Sequence, residues 1–434
     1  MINRSTLKRS WHVLTRFTPI LLALASLHCT ARLDTGAGAA EYFRLLDVDP
    51  PQAVNAVRLT NNGNILFLST IRVPRDTGYI SNFEITICDP TGNVISSKRY
   101  GDTLDVAAAD CIVLSDGSVA VVGTSNLRGY ISLKNAIKFY RIDAFGKIAN
   151  SHEYTPSTEL SNATAIATSD NGGFVVAGTG RTGLSGTTDA VFLYLSPTGD
   201  SLGMNTVSFG GTGNNGNKDF VYDISSMEAG NWVAIGETIL GGGKNNPQLQ
   251  SYYHTKSPDT VLISPLATSH GGSFRSILRT GPQSYIFVGD SAPFLPPNVD
   301  TGFNAASIEA IDFVGSNSLG QTRWFEDFGV GAHSSFTKVI PVSQGGIAAT
   351  GFTVDPAGDT SVMLFRLDAN GKEIWPHKSY PLAGGELRGE FATGVVETLD
   401  HGFAIGGITT SFGGRLAPRQ IFLLRVKADG TFIQ

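Results

Sequence analysis

Apolar residues along the chain fall in short runs of four to eight, broken by Gly, Asn, Asp, Ser and Pro, a pattern that predicts β-strands joined by tight turns. The clearest copy reads ATAIATSDNGGFVVAGTG from Ala163 to Gly180 and is followed by DAVFLYLSPTGDSL. The same arrangement recurs seven times, with an inner glycine at Gly123, Gly178, Gly236, Gly289, Gly351 and Gly407 and Ser69 in the first copy. Four positions before each lies an apolar residue: Ile65, Val119, Phe174, Trp232, Tyr285, Ile347 and Phe403. A second half-unit follows each first one and ends in a D-x-x-G-like turn, as in ICDPTGNVI, RIDAFGKIA, YLSPTGDSL, NSLGQTRWF, RLDANGKEIW and VKADGTFIQ. The fourth copy, near VLISPLATSHGG, is degenerate.

Two strand pairs per unit, repeated at irregular intervals of about 53 to 62 residues, predict an all-β fold: a seven-bladed β-propeller with about four antiparallel strands per blade. A β-helix or a stacked sandwich is the main alternative, but rungs of a solenoid keep a fixed length, whereas blade loops tolerate insertions. The glycine column is expected where inner strands of adjacent blades converge on the channel, and the bulky column where sheets pack face to face. The last unit stops at Gln434, short of an outer strand, while EYFRLLDV, Glu41 to Val48, precedes the first full repeat. This N-terminal strand is therefore expected to close the ring by joining the C-terminal blade, which removes two exposed edges.

Composition agrees with strands and turns: among 434 residues there are 51 glycines and only 16% charged residues. A formal charge of −5 speaks against nucleic acid, which demands clustered Lys and Arg. The only basic cluster, Arg4, Lys8, Arg9 and Arg16, precedes the apolar run FTPILLALASL, Phe17 to Leu27. That run is too short to span a membrane comfortably and has the layout of a secretory signal peptide. Its end, Ser26-Leu27-His28-Cys29, resembles the lipobox of bacterial lipoproteins, although Ser26 and His28 depart from the usual Leu-like and small residues. The resemblance implies lipid attachment at Cys29; the alternatives are ordinary cleavage, for example after Ala31, and an uncleaved anchor. The expected layout is a signal peptide at 1–28, a lipidated cysteine and flexible tether at 29–41, and a single propeller at 42–434, with a mature charge of about −9.

The repeat itself resembles a glycine-rich propeller repeat of exported lipoproteins of Gram-negative bacteria, D-G-G-[FY]-x-x-x-G, then L-D-x-x-G, then W-x-x-x-[YF]-G-G. Its best copies here are Asp170 to Gly178 and Leu367 to Tyr380. The resemblance implies the architecture and an outer-membrane or other envelope address, and almost nothing about activity. The stretch LDANGKEIW, Leu367 to Trp375, is similar to the tryptophan-docking motif of quinoprotein dehydrogenases, with one residue fewer between Asp368 and Gly371. It is expected to lock neighbouring blades.

Candidate chemistry is sparse. Gly211, Gly213 and Gly216 spell G-x-G-x-x-G, but the fingerprint works only between a strand and a helix, and another strand pair follows here. H-E-x-x-H, G-x-S-x-G and paired C-x-x-C are missing, and His152, His254, His270, His333, His377 and His401 are scattered over different repeats. Asp170, Asn171 and Asp200 fit turns better than calcium loops. Cys88 and Cys111 occupy positions that other repeats fill with apolar residues, so burial is favoured over a disulfide. The largest departures from the repeat are Gly241 to Asp259 and Ser291 to Asn304, whose Tyr252, Tyr253, Phe294 and Phe303 are candidate partner-binding residues on loops.

These readings converge on an exported, lipid-anchored, monomeric binding or scaffold module of the cell envelope, with no cofactor, catalytic or metal residue assigned, and with an unknown protein or glycan as partner. The alternative is a propeller enzyme acting on an extracellular substrate such as a glycan. A cluster of His, Asp, Glu or Arg converging in the channel would favour the enzyme.

Overall fold

A computed structural model describes residues 43–433 except 47, 76–77, 102–104, 127–134, 156–159, 182–187, 208–217, 228–230, 240–247, 258–259, 266–269, 294–303, 314–319, 330–332, 383–388 and 411–418. The predicted signal peptide, Cys29 and tether lie outside the described residues.

Twenty-eight strands follow one another. Strand β1 is Phe43–Leu45. The first unit is β2 (Pro51–Leu59), β3 (Ile65–Arg75), β4 (Gly78–Cys88) and β5 (Val94–Tyr100), and the next is β6 (Asp105–Val113), β7 (Val119–Asn126), β8 (Asn135–Ile142) and β9 (Ile148–Tyr154). Then come β10 (Leu160–Thr168), β11 (Phe174–Arg181), β12 (Thr188–Leu195) and β13 (Ser201–Val207), followed by β14 (Lys218–Ser226), β15 (Trp232–Ile239), β16 (Gln248–Ser257) and β17 (Thr260–Pro265). After these are β18 (His270–Arg279), β19 (Ser284–Pro293), β20 (Ala305–Asp312) and β21 (Gln321–Phe328), then β22 (His333–Pro341), β23 (Ile347–Val354), β24 (Thr360–Leu367) and β25 (Glu373–Tyr380). The chain ends with β26 (Glu390–Glu397), β27 (Phe403–Thr409) and β28 (Gln420–Val426).

Within each unit, successive strands pair antiparallel. The first strands of consecutive units neighbour one another around a closed ring, and β26 meets β2 at the seam. The fold is a β-propeller of antiparallel four-strand blades. The expectation of a seven-bladed propeller is corrected: the strands do not resolve into seven blades, each a separate four-stranded sheet. Hydrogen bonding resolves them into five, four of four strands and one of twelve that runs from β10 to β21. The large sheet arises because neighbouring units touch at strand ends, β12 with β14 at Thr188 and Lys218, and β16 with β18 at Leu249 and Gly271. A single bridge at each place carries the ladder across the boundary. Strand β1 pairs with β28, Phe43 opposite Leu424 and Leu45 opposite Phe422, and forms the outer edge of the β26–β28 sheet.

The core lies between blades. Ile65 and Phe67 pack with Ile421 and Leu423 across the seam, Phe174 with Phe139, and Phe403 with Leu364. Trp232 stacks on Phe192 of the preceding unit at 4.0 Å between ring centroids. Each such large apolar side chain contributes roughly 1.5–3 kcal/mol on burial, which is why the bulky column recurs so faithfully.

The glycine column has a different cause from the one expected. Gly123, Gly178, Gly236, Gly289, Gly351 and Gly407 sit on the second strand of their units, where a Cβ would overlap a backbone carbonyl of the first strand of the same unit, those of Ala107, Asn162, Phe220, Ser273, Ser335 and Phe391. Opposite each, the register slips by one residue. The glycines therefore answer a β-bulge within one blade, where one residue faces two and the backbones crowd. Crowding between blades is not the reason.

Candidate binding site in the central channel

The repeated bulge builds the site. An extra residue in each innermost strand falls in the register slip: Asn55 of β2, Ala109 of β6, Thr164 of β10, Tyr222 of β14, Arg275 of β18, Thr337 of β22 and Thr393 of β26. All line one cavity of about 340 Å3 at the centre of the ring, together with Arg58, Asp110, Asp223 and Lys338. Its volume falls in the range of small-molecule sites, about 300–1,000 Å3.

Arg58 and Lys338 are each paired with an aspartate, and Arg58, Asp110 and Asp223 are also tied to backbone. Arg58 forms a salt bridge with Asp110, and its Nε donates to the Cys111 carbonyl at 2.9 Å. Asp110 also accepts from the backbone N–H of Cys111 (2.7 Å) and of Ile166 in the next blade (3.3 Å). Asp223, at the same repeat position, accepts from Lys338 Nζ (3.0 Å), Ser276 Oγ (2.9 Å) and the Ile277 N–H of the next blade (3.1 Å). Burial opposes the charge on Arg58, but Asp110, Cys111 and Asp223 outweigh it and hold the guanidinium pKa above its usual value. These groups bridge innermost strands that share no ladder. They act first as ties of the ring.

The bulge residues add a second belt. Asn55 Nδ2 donates to the Ala108 carbonyl (2.9 Å), Thr337 Oγ1 to the Ala392 carbonyl (2.8 Å), and Thr393 Oγ1 to the Val54 carbonyl across the seam (3.2 Å). Thr164 Oγ1 donates to the Ala177 carbonyl (3.2 Å). Arg275 lies over the Tyr222 ring at 4.1 Å. Burial pushes the Tyr222 phenol above its usual pKa, so it stays a neutral platform for that cation. Phe352 and Phe391 meet edge to face at 5.3 Å along the same wall.

The residues singled out in the sequence fall elsewhere. Tyr252 and Tyr253 are corrected from loop to strand: they lie in β16, opposite Ile235 and Ala234 on one side and Ser264 and Ile263 on the other. The aromatic, polar-alternating stretch QLQSYYHT favours a strand, so the apparent insertion is mostly ladder. Phe294, Phe303, Gly211, Gly213 and Gly216 lie outside the described residues, and the glycines are flanked by strands β13 and β14. Cys88 and Cys111 are buried free thiols, each pushed up to about 12 by burial. Asn171 and Asp200 serve turns: Asn171 Oδ1 accepts from the Gly173 N–H at 3.0 Å, and Asp200 Oδ2 accepts from Thr198 Oγ1 at 2.6 Å. Among the described residues no group of three or more His, Cys, Asp or Glu is placed to hold a metal ion.

The tryptophan motif forms a lock between consecutive blades. Trp324 Nε1 donates to the Ala369 carbonyl and Trp375 Nε1 to the Ala428 carbonyl, both at 3.2 Å, in the D-x-x-G turn of the next unit. Tyr380 Oη reaches the Gly430 carbonyl at 2.7 Å, and Tyr100 Oη that of Gly146 at 3.0 Å. Ser343, His401 and Glu397 also meet, but Ser343 Oγ (2.9 Å) and Glu397 Oε1 (3.2 Å) address the same ring nitrogen, Nδ1. A proton relay would use both nitrogens of the imidazole; this cluster ties two turns together.

No protein-family model matches the chain, and no curated protein matches it. Among solved structures, the chain is similar to the β-propeller domain of the Trilobed protease from Pyrococcus furiosus, at 9% identity and TM-score 0.48 over 89% of this chain and 100% of that one. It is also similar to a GH93 α-L-arabinofuranosidase of Fusarium graminearum (12%, TM-score 0.48, 75% and 97%) and to a protein of unknown function from Bacteroides caccae (12%, TM-score 0.41, 78% and 97%). The propeller assignment rests on the strand pairing and ring closure described above.

Proposed function

We propose that this chain is a binding module of the cell envelope, exported and lipidated at Cys29, with the central channel as its recognition site. The observation that supports a binding role is that each channel aspartate is paired with a cation and also accepts from a backbone N–H of the neighbouring blade. A carboxylate held by a cation and by backbone N–H groups is a weaker general base or nucleophile than a free one, because those bonds stabilise its charged form. A propeller enzyme acting on a glycan is the second reading, favoured by the convergence of Arg58, Asp110, Asp223 and Lys338 in the channel.

The two are separated by incubating the full-length chain with oligosaccharides, following both binding and product. Saturable binding without turnover, abolished when Ala109→Trp fills the channel, supports the binding module. Turnover that disappears in Asp110→Asn or Asp223→Asn overturns it in favour of the enzyme. For the address, radiolabelled fatty acid is expected to enter the wild type and not Cys29→Ala; equal labelling of both rules lipidation out.

A further inference from the structure

The channel has a chemical polarity of its own. Arg58 and Lys338 each face an aspartate, whereas Arg275 stacks on Tyr222 and has no carboxylate partner among the described residues. A guanidinium over an aromatic ring has five N–H donors and spends few of them on that contact, and its fork matches the two oxygens of a carboxylate or phosphate. Around it, the protons of the Thr164, Thr337 and Thr393 hydroxyls are already donated to backbone carbonyls. A hydroxyl has one proton and two lone pairs, so these three present acceptors to the cavity. The Asn55 carbonyl oxygen accepts from Thr70 Oγ1 at 2.9 Å and retains a second lone pair. The wall therefore offers one cationic fork and several acceptors, the complement of a molecule with one anionic group and several O–H donors.

Resting on the reading of the channel as a recognition site, we propose that Arg275, with Thr164, Thr337 and Thr393, binds a monosaccharide-sized polyol bearing a single anionic group. A cavity of about 340 Å3 accommodates one such ring with a few waters. The anionic group is a carboxylate, as in a sugar acid, or a phosphate, as in a sugar phosphate; the recognition chemistry is shared.

Calorimetric titration of the full-length chain with D-glucuronate, D-glucose 1-phosphate and D-glucose tests this. One of the two anions is expected to bind about tenfold tighter than glucose, and which one identifies the group. In Arg275→Gln that preference is expected to fall below about twofold while the unfolding midpoint is retained. If Arg275→Gln does not fold, Arg275→Lys keeps the charge without the planar fork and is expected to bind the anion several-fold more weakly. Equal binding of glucose and both anions overturns the inference and leaves a binding channel. Absence of saturation by all three at millimolar concentration also overturns it, and the Ala109→Trp comparison then decides separately whether the channel reading fails as well.

Discussion

Trp324 and Gly371 belong to consecutive blades and meet in van der Waals contact: a Cβ on Gly371 would lie 2.8 Å from the indole ring, whose Nε1 donates to Ala369 in the same turn. Gly371 also has φ +82°, where a side chain is strained. Gly371→Ala is therefore expected to cost about 2 kcal/mol or more, strain and displacement of the ring acting together. Trp324→Phe keeps the packing and loses one hydrogen bond, about 1 kcal/mol. Urea unfolding of both variants checks the order; a costlier Trp324→Phe contradicts the lock as described.

The bulge account of the glycine column predicts an asymmetry. Gly236→Ala places a Cβ 1.8 Å from the Phe220 carbonyl oxygen, so backbone has to shift to admit it, and is expected to cost about 3 kcal/mol or to prevent folding. Ser69, in the same column, already carries a side chain, and Ser69→Gly is expected to stay within about 1 kcal/mol. Comparable losses in the two variants would refute the bulge as the cause.

Glu309 on β20 is fully buried, with Oε1 accepting from Thr322 Oγ1 at 2.5 Å and Oε2 unpartnered. Burial raises its carboxyl from 4.5 to about 7. Because the folded pKa lies above the unfolded one, the folded state holds the proton more tightly. The associated stability is full below about pH 4.5, declines as pH rises towards 7 and is lost above it, a change of about 3 kcal/mol. Glu309→Gln is expected to remove this slope and to be the more stable protein at pH 8. Parallel pH–stability curves for the two would show that Glu309 does not titrate in this window.

His401 is the one described non-glycine residue with positive φ, +61°, at a turn position that Gly63, Gly117, Gly172 and Gly345 fill in other units. His401→Gly relieves that strain and loses only exposed contacts to Ser343 and Glu397, so it is expected to stabilise by about 0.5–1 kcal/mol. His401→Ala keeps the strain and loses the same contacts, and is expected to be less stable than wild type. Thermal unfolding of both, compared at one pH, measures the difference.

Much of the architecture was legible in the repeats. The columns at Trp232, Tyr285 and Phe403 identified residues that pack between sheets, and LDANGKEIW identified a lock between blades, because both follow from periodicity and from side-chain size. The site was not legible as such. Its residues lie in the register slips of innermost strands, and a bulge leaves no motif in its own strand. A trace existed all the same: the glycine column marks the facing strand as bulged, and Asp110 and Asp223 share one repeat position. Tyr252 and Tyr253 misled because an insertion relative to the repeat was taken for a loop, whereas cross-strand pairing had absorbed it into β16.

The sequence by itself determined the strands, their turns, their order and the surfaces they bury, since these depend on local backbone preference and on apolar spacing. Tertiary structure alone decided how blades merge into a sheet of twelve strands, which residues the bulges turn into the channel, and which charges find partners there. Arg58 meets Asp110 across 52 positions and Lys338 meets Asp223 across 115. Such pairings depend on the packing of successive blades around one axis, which brings innermost strands together and is encoded at no single position of the chain.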